Sequence, residues 1–149
     1  MIALGCDHGG FELMQSVKAY LRELGLEYED FGTYDTNSCD YPVFGQAAAK
    51  AVQSGKCDRG IVICSTGIGI SIAANRFKGI RCGLCHDVMT ARLTREHNNA
   101  NMLAMGAKCV DEELAREIVK TFLETEFSNG ERHIRRVELI DKYSDDDII

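Results

Sequence analysis

The sequence has no tryptophan, a single proline, and no apolar run close to the ~20 residues that a membrane-crossing helix needs. A helix crossing the bilayer is therefore not expected, and neither are Pro-rich linkers or low-complexity tracts. Residues 1–8 carry neither the basic stretch nor the long apolar stretch of a secretory signal, so the protein is expected in the cytoplasm. Basic residues are also in short supply: 17 Lys and Arg against 23 Asp and Glu give a formal charge of −6. A nucleic acid partner needs a basic surface, and this balance argues against one. A phosphorylated ligand would meet general repulsion as well, so any phosphate site must concentrate positive charge locally.

Cysteine and glycine are plentiful, at seven and fourteen among 149 residues. An odd number of thiols cannot all pair internally, and in a reducing compartment they read as small hydrophobes or reactive groups. Cys6, Cys39, Cys57, Cys82, Cys85 and Cys109 are each expected to be buried core residues. Cys82-Gly83-Leu84-Cys85-His86 has the spacing of c-type haem attachment. It falls in a strand pattern, however, where residues three apart point to opposite faces. No second cysteine pair completes a zinc site, and His8, His86, His97 and His133 form no ligand pattern. Neither a metal nor a cofactor is expected.

Short apolar runs alternate with helical periodicity along the whole chain. Strands are expected at Ile2–Cys6, Leu26–Phe31, Gly60–Cys64, Ile80–Cys85 and Met102–Met105. The second is the least apolar and belongs near a sheet edge, whereas Gly60–Cys64 is apolar throughout, as in a strand buried on both faces. Between them lie helices over 11–24 (closed by Gly25), from Pro42 to Gly55, from the 65–69 turn to about Phe77, and from about Asp87. Another starts at Asp111, with Leu114, Ile118 and Phe122 facing inward. A last helix over 131–143 carries Ile134, Val137, Leu139 and Ile140, and a frayed acidic end occupies about 144–149. Strict βα alternation implies an α/β fold. The expectation is one doubly wound, Rossmann-like α/β/α sandwich over 1–149, with a five-stranded parallel sheet; a 2-1-3-4-5 order would be one arrangement that puts strand 1 beside strand 3.

Ligands of such sheets bind beyond the carboxyl ends of the strands, where the order reverses. Two loops line that crevice if strands 1 and 3 are neighbours: Gly5-Cys6-Asp7-His8-Gly9-Gly10, and Cys64-Ser65-Thr66-Gly67-Ile68-Gly69. The second opens a helix, so it presents free backbone N–H groups at a positive helix end, suited to a phosphate or a developing oxyanion. No Gly-Lys-Ser/Thr follows, and Ile72 occupies the third glycine position of a dinucleotide fingerprint. A tight turn without chemistry remains a competing account. Cys64 closes the strand facing that helix end, a placement that generally favours thiolates; a buried core cysteine is the alternative.

Five motifs then occur in order: Gly5 to Gly10, Asp40-Tyr41-Pro42, Ile63 to Asn75 (Ile-Cys-Ser-Thr-Gly-Ile-Gly-Ile-Ser-Ile-Ala-Ala-Asn), Arg95-Glu96-His97-Asn98 and Arg132-His133-Ile134-Arg135-Arg136. Together they resemble the ribose-5-phosphate isomerase B family, from Ile2 to about Tyr143. Galactose-6-phosphate isomerase subunits share the fold and some of these motifs. The resemblance implies a cofactor-free aldose–ketose isomerase acting on a small phosphorylated sugar through a cis-enediolate. It makes Cys64 the base between C2 and C1; some members use a Glu in the following loop, where this chain has Ile70. Backbone N–H groups of Ser65, Thr66, Gly67, Ile68 and Gly69 would hold the enediolate oxygen, with Ser65 standing where some relatives have Gly.

The same resemblance implies that His97 opens the furanose ring, helped by Thr66, and that Asp7 handles hydroxyl protons. Asn98 would contact a sugar hydroxyl. Arg132 and Arg136, four apart on one helix face, would bind the phosphate, joined by His8 and by Lys108 in place of an Arg. Without the family, a solvated face pairing with Glu131 and Glu138 accounts for the two arginines. The family also implies a homodimer, or a dimer of dimers, with active sites shared between subunits and the C-terminal helix packing on the partner, which would account for exposed apolar positions such as Ile134 and Val137 on that helix. An isomerase of allose or galactose 6-phosphate, and a non-catalytic phosphosugar-binding module, remain open alternatives.

Overall fold

The computed structural model describes residues 1–142. The acidic end at about 144–149, expected to fray, lies outside the described residues. The strands are β1 (Ile2–Cys6), β2 (Tyr28–Asp30), β3 (Arg59–Cys64), β4 (Cys82–Leu84) and β5 (Met102–Gly106). The helices are α1 (Phe11–Glu23), α2 (Tyr41–Gln53), α3 (Ile68–Ala74), α4 (Val88–Asn98), α5 (Glu112–Glu124) and α6 (Glu131–Lys142). All paired strands are parallel. Helix starts follow the chemistry in the sequence. Asp87 accepts the Thr90 N–H at 2.6 Å, Asp111 accepts the Leu114 N–H at 2.8 Å, and Pro42 sits in the first turn of α2.

The sheet order is β2-β1-β3-β5-β4. β1 does lie beside β3, as the crevice between the two loops requires, and β5 is inserted between β3 and β4, which distinguishes this sheet from a 2-1-3-4-5 order. The reason is hydrophobicity: Met102 to Gly106 is buried at every position, whereas Cys82, Gly83 and Leu84 are half-buried to exposed. The strand that is apolar on both faces takes the interior, and the short one takes the edge. β4 is also shorter than the expected Ile80–Cys85.

Side chains alternate across the sheet with period two. Leu4, Cys6, Ile61, Ile63, Leu103 and Met105 pack with α1, α4 and α5, where Met14, Val17, Ile118 and Phe122 complete a core of large side chains. Ala3, Val62, Cys64, Met102 and Ala104 face α2 and α3, a layer built from Ala48, Ala49, Ile70 and Ala74. At ~1.5–3 kcal/mol for each fully buried large side chain, the first face carries most of the hydrophobic stabilisation. The second is thin because small residues let its helices come close. Cys64 lies on that side.

Three cysteine expectations fail. Cys109 is exposed, because the turn after β5 buries Val110 instead, and Cys39 and Cys82 are only half-buried. Cys82 and Cys85 do fall on opposite faces, one packed against each core. Val137, expected with Ile134 as an exposed apolar residue, is buried; Ile134, Leu139 and Ile140 remain exposed. Among the described residues no helix is long and apolar enough to cross a membrane.

Candidate active site

Both loops converge at the carboxyl ends of β1 and β3. Asp7 is buried, its carboxylate accepts the Gly10 N–H at 3.0 Å, and its own N–H reaches the Ile63 carbonyl at 3.3 Å. A side chain at Gly9 would collide with the Ser65 hydroxyl and come 3.4 Å from the Asp7 carboxylate. The first loop therefore lies directly on the second. His8 is held from the other side, its Nδ1 accepting the Cys39 N–H at 3.2 Å. That bond makes Nδ1 the acceptor of the neutral ring and leaves Nε2–H available as a donor.

The second loop is shaped by Gly67, which caps α3 at φ 76, left-handed backbone that only glycine adopts readily. A Cβ there would also stand 2.7 Å from the Met105 carbonyl carbon. This geometry turns the Gly67 N–H onto the Cys64 sulfur, 3.1 Å away. The Ile68 N–H reaches the Thr66 hydroxyl at 3.3 Å, and the helical ladder starts only with Ser71 N–H to the Gly67 carbonyl. The amides of the first turn of α3, Gly69 among them, thus precede the ladder and emerge beside the thiol. Lys108 closes this end: its N–H donates to the Ser65 carbonyl at 2.9 Å, and the residue is exposed. Cys64, Asp7, His8, Ser65, Thr66, Gly67, Ile68, Gly69 and Lys108 therefore form one constellation.

His97, Asn98, Arg132 and Arg136 do not join it within the chain. α4 starts near the carboxyl end of β4 and runs back for 11 residues, about 16 Å, so its last turn reaches the amino ends of the strands. There the Asn98 carbonyl accepts Arg81 Nε at 3.2 Å, and Arg81 pairs with Asp141 of α6 at 2.8 Å. Thr66, the expected helper of His97, is accordingly at the opposite end. A groove of about 690 Å³, lined by Arg81, Thr94, Asn98 and Asp141 among others, opens at this amino edge. Among the described residues no three His, Cys, Asp or Glu side chains are grouped to hold a metal.

Two residues of this second cluster escaped the sequence. Arg95 is buried and joins α4 to the segment after α5, donating to the Thr125 carbonyl at 3.0 Å and the Ala100 carbonyl at 2.6 Å. Burial, then the neighbouring Arg59, lowers its pKa to about 10, which still leaves it a cation at pH 7. His133 is also buried and stacks on His97, with ring centroids 4.4 Å apart and planes within 7°. Burial first, then His97, Arg132 and Arg136, holds its imidazole below the ordinary value of 6.5. Nothing in the local sequence distinguishes a stacked histidine in an arginine-rich helix from a solvated one.

Residues 2–140 match the family model described as Ribose/Galactose Isomerase. The chain belongs to that family. Ribose-5-phosphate isomerase B of Escherichia coli K12 is 48% identical over 139 residues, 93% of each chain. Galactose-6-phosphate isomerase subunit LacB of Clostridium acetobutylicum is 39% identical over 99% of this chain and 85% of its own. The solved Clostridium thermocellum ribose-5-phosphate isomerase B superposes with a TM-score of 0.93 at 51% identity, covering 95% of both chains. Membership of the ribose/galactose isomerase family makes this protein an isomerase, with the fold of the ribose-5-phosphate isomerase B structures.

Proposed function

We propose that the protein interconverts ribose 5-phosphate and ribulose 5-phosphate, with Cys64 as the base. The observation that carries this reading is the Gly67 N–H directed at the Cys64 sulfur beside the amides that open α3. Cys64 removes the proton from C2 of the open-chain aldose, and the first-turn amides hold the oxygen of the cis-enediolate. The Cys64 thiol, whose proton exchanges with solvent, then delivers a proton to C1, while Asp7 moves the hydroxyl proton from O2 to O1. Charge and atom count are conserved, and no cofactor is consumed. His97, with Thr66, opens the furanose ring beforehand; Asn98 contacts a sugar hydroxyl. His8, Lys108, Arg132 and Arg136 meet the phosphate, the local positive charge that a protein of net charge −6 requires.

Because His97 and the two arginines lie at the far end of the same chain, the reading needs a second copy. We place its α4 and α6 against the Cys64 loop of the first, in a homodimer or a dimer of dimers with shared sites. Exposed apolar side chains support this on both surfaces: Ile68, Ile72 and Leu84 near the thiol, and Ile134, Leu139 and Ile140 on α6. Cytoplasmic residence remains part of the proposal.

The match to the C. acetobutylicum galactose-6-phosphate isomerase subunit favours a second reading, in which the substrate is a 6-phosphohexose such as allose or galactose 6-phosphate. Turnover of a panel of aldose phosphates by the purified protein decides between them. Ribose 5-phosphate is expected to give the highest kcat/KM. A hexose 6-phosphate exceeding it would overturn the pentose assignment, and binding without turnover of any member would make the protein a phosphosugar-binding module.

A further inference from the structure

The segment between α5 and α6 is tied to the last turn of α4. Arg95 Nε donates to the Thr125 carbonyl at 3.0 Å, and the Ser128 N–H and hydroxyl both donate to the Glu96 carbonyl, at 3.3 and 2.6 Å. The segment ends at Gly130, whose carbonyl accepts the His133 N–H at 2.9 Å. A side chain at Gly130 would press on the His133 ring, 3.1 Å from Cδ2. These constraints deliver the His133 ring flat onto that of His97, at 4.4 Å between centroids.

We propose that His133 is a positioning residue, which fixes the orientation of the His97 imidazole by stacking so that it can open the sugar ring. The inference rests on the ring-opening role assigned to His97. His97 is half-buried at a helix end, where an imidazole otherwise turns freely about two torsions, whereas a parallel ring at stacking distance confines it to one plane. Burial, followed by His97, Arg132 and Arg136, disfavours the charged form of His133, so at neutral pH it presents an uncharged flat face. Two imidazolium ions at this separation would repel. The operative property is the ring face rather than its proton, so phenylalanine should serve.

The test compares initial rates in the two directions. Ribose 5-phosphate is mainly a closed furanose, whereas ribulose 5-phosphate is acyclic because its C5 oxygen carries the phosphate. In His133→Ala, kcat on ribose 5-phosphate should fall about 10–100-fold, as expected for a misplaced catalytic group, with KM within about twofold. The rate from ribulose 5-phosphate should stay within about twofold of wild type, and His133→Phe should recover most of the loss. Equal loss in both directions, no loss at all, or a His133→Phe protein no better than His133→Ala would overturn the proposal. The proton shifts of the His97 ring give a readout independent of turnover. They should carry the ring-current displacement of a stacked neighbour in wild type and His133→Phe, and lose it in His133→Ala; shifts that do not respond would also overturn it. Equal loss in both directions by His97→Asn, with the shifts behaving as expected, would instead overturn the ring-opening reading, and the role given to His133 with it.

Discussion

Cys6 and Cys64 end neighbouring parallel strands, and both are buried. Cys6 is opposite Ile63 in the register, so Cys64 stands one position further along. In a strand that one position reverses the face on which the side chain emerges. Cys6 enters the large-residue core under α1, where its thiol donates to the Thr33 carbonyl at 3.9 Å. Burial, with the Asp30 carboxylate next, pushes its thiol up to about 12. Cys64 enters the thin layer under α3 and meets a hydrogen-bond donor, the Gly67 N–H, at 3.1 Å. One sulfur faces a backbone acceptor; the other faces a backbone donor. Strand-end position alone does not make a cysteine reactive. In the mechanism we propose, the group aimed at the sulfur does.

The largest expected effect is on turnover. Cys64→Ala should lower kcat by about 10²–10⁴-fold, the range of a positioned acid–base group, while Cys6→Ala stays within about twofold of wild type. Similar losses in the two variants would erase the contrast. Gly67→Ala should act on both stability and rate. It forces φ 76 on a β-carbon and drives that carbon into the Met105 backbone, at about 1–3 kcal/mol of stability by urea titration, and it moves the amide off the Cys64 sulfur. A variant of wild-type stability and activity would show that the turn does not set the thiol's environment.

The effect least felt near neutral pH concerns Cys6 alone. Its folded value of about 12 exceeds the 9.0 of a free thiol, so above pH 9 the unfolded chain loses a proton that the folded chain keeps. The associated stability is complete below pH 9 and declines by about 1.4 kcal/mol per pH unit as pH rises towards 12. Cys85, raised to about 11, and Cys82 and Cys57, raised by burial, contribute in the same direction. Cys6→Ala should therefore flatten the alkaline fall in urea midpoint without abolishing it. Unchanged slopes would mean that Cys6 is not held as a neutral thiol.

Much of this was legible in the sequence. The continuous apolar run ending at Cys64, the glycine turn behind it and the caps at Asp87 and Asp111 are local signals, and local signals survive folding. The carboxyl-end half of the candidate site followed from the same features plus the switch-point rule. Three things were not legible because each is settled by distant contacts. β5 outcompetes β4 for the sheet interior through burial on both faces, which strand alternation alone does not rank. His133 becomes a stacked ring only because the segment after α5 is anchored to Arg95 and Glu96. Val137 is buried and Ile134 exposed because α6 packs on α4, a partner the periodicity of α6 does not name. The family resemblance supplied the amino-end residues, and the structure then showed that one chain keeps them away from the thiol.

The central claim, that the Cys64 sulfur carries the proton between C2 and C1, is tested most directly by NMR of ribose 5-phosphate incubated in D₂O. Wild-type protein and Cys6→Ala should place solvent deuterium on the sugar carbon next to the carbonyl, and folded Cys64→Ala should not. Deuterium incorporation by Cys64→Ala at the wild-type rate would contradict it.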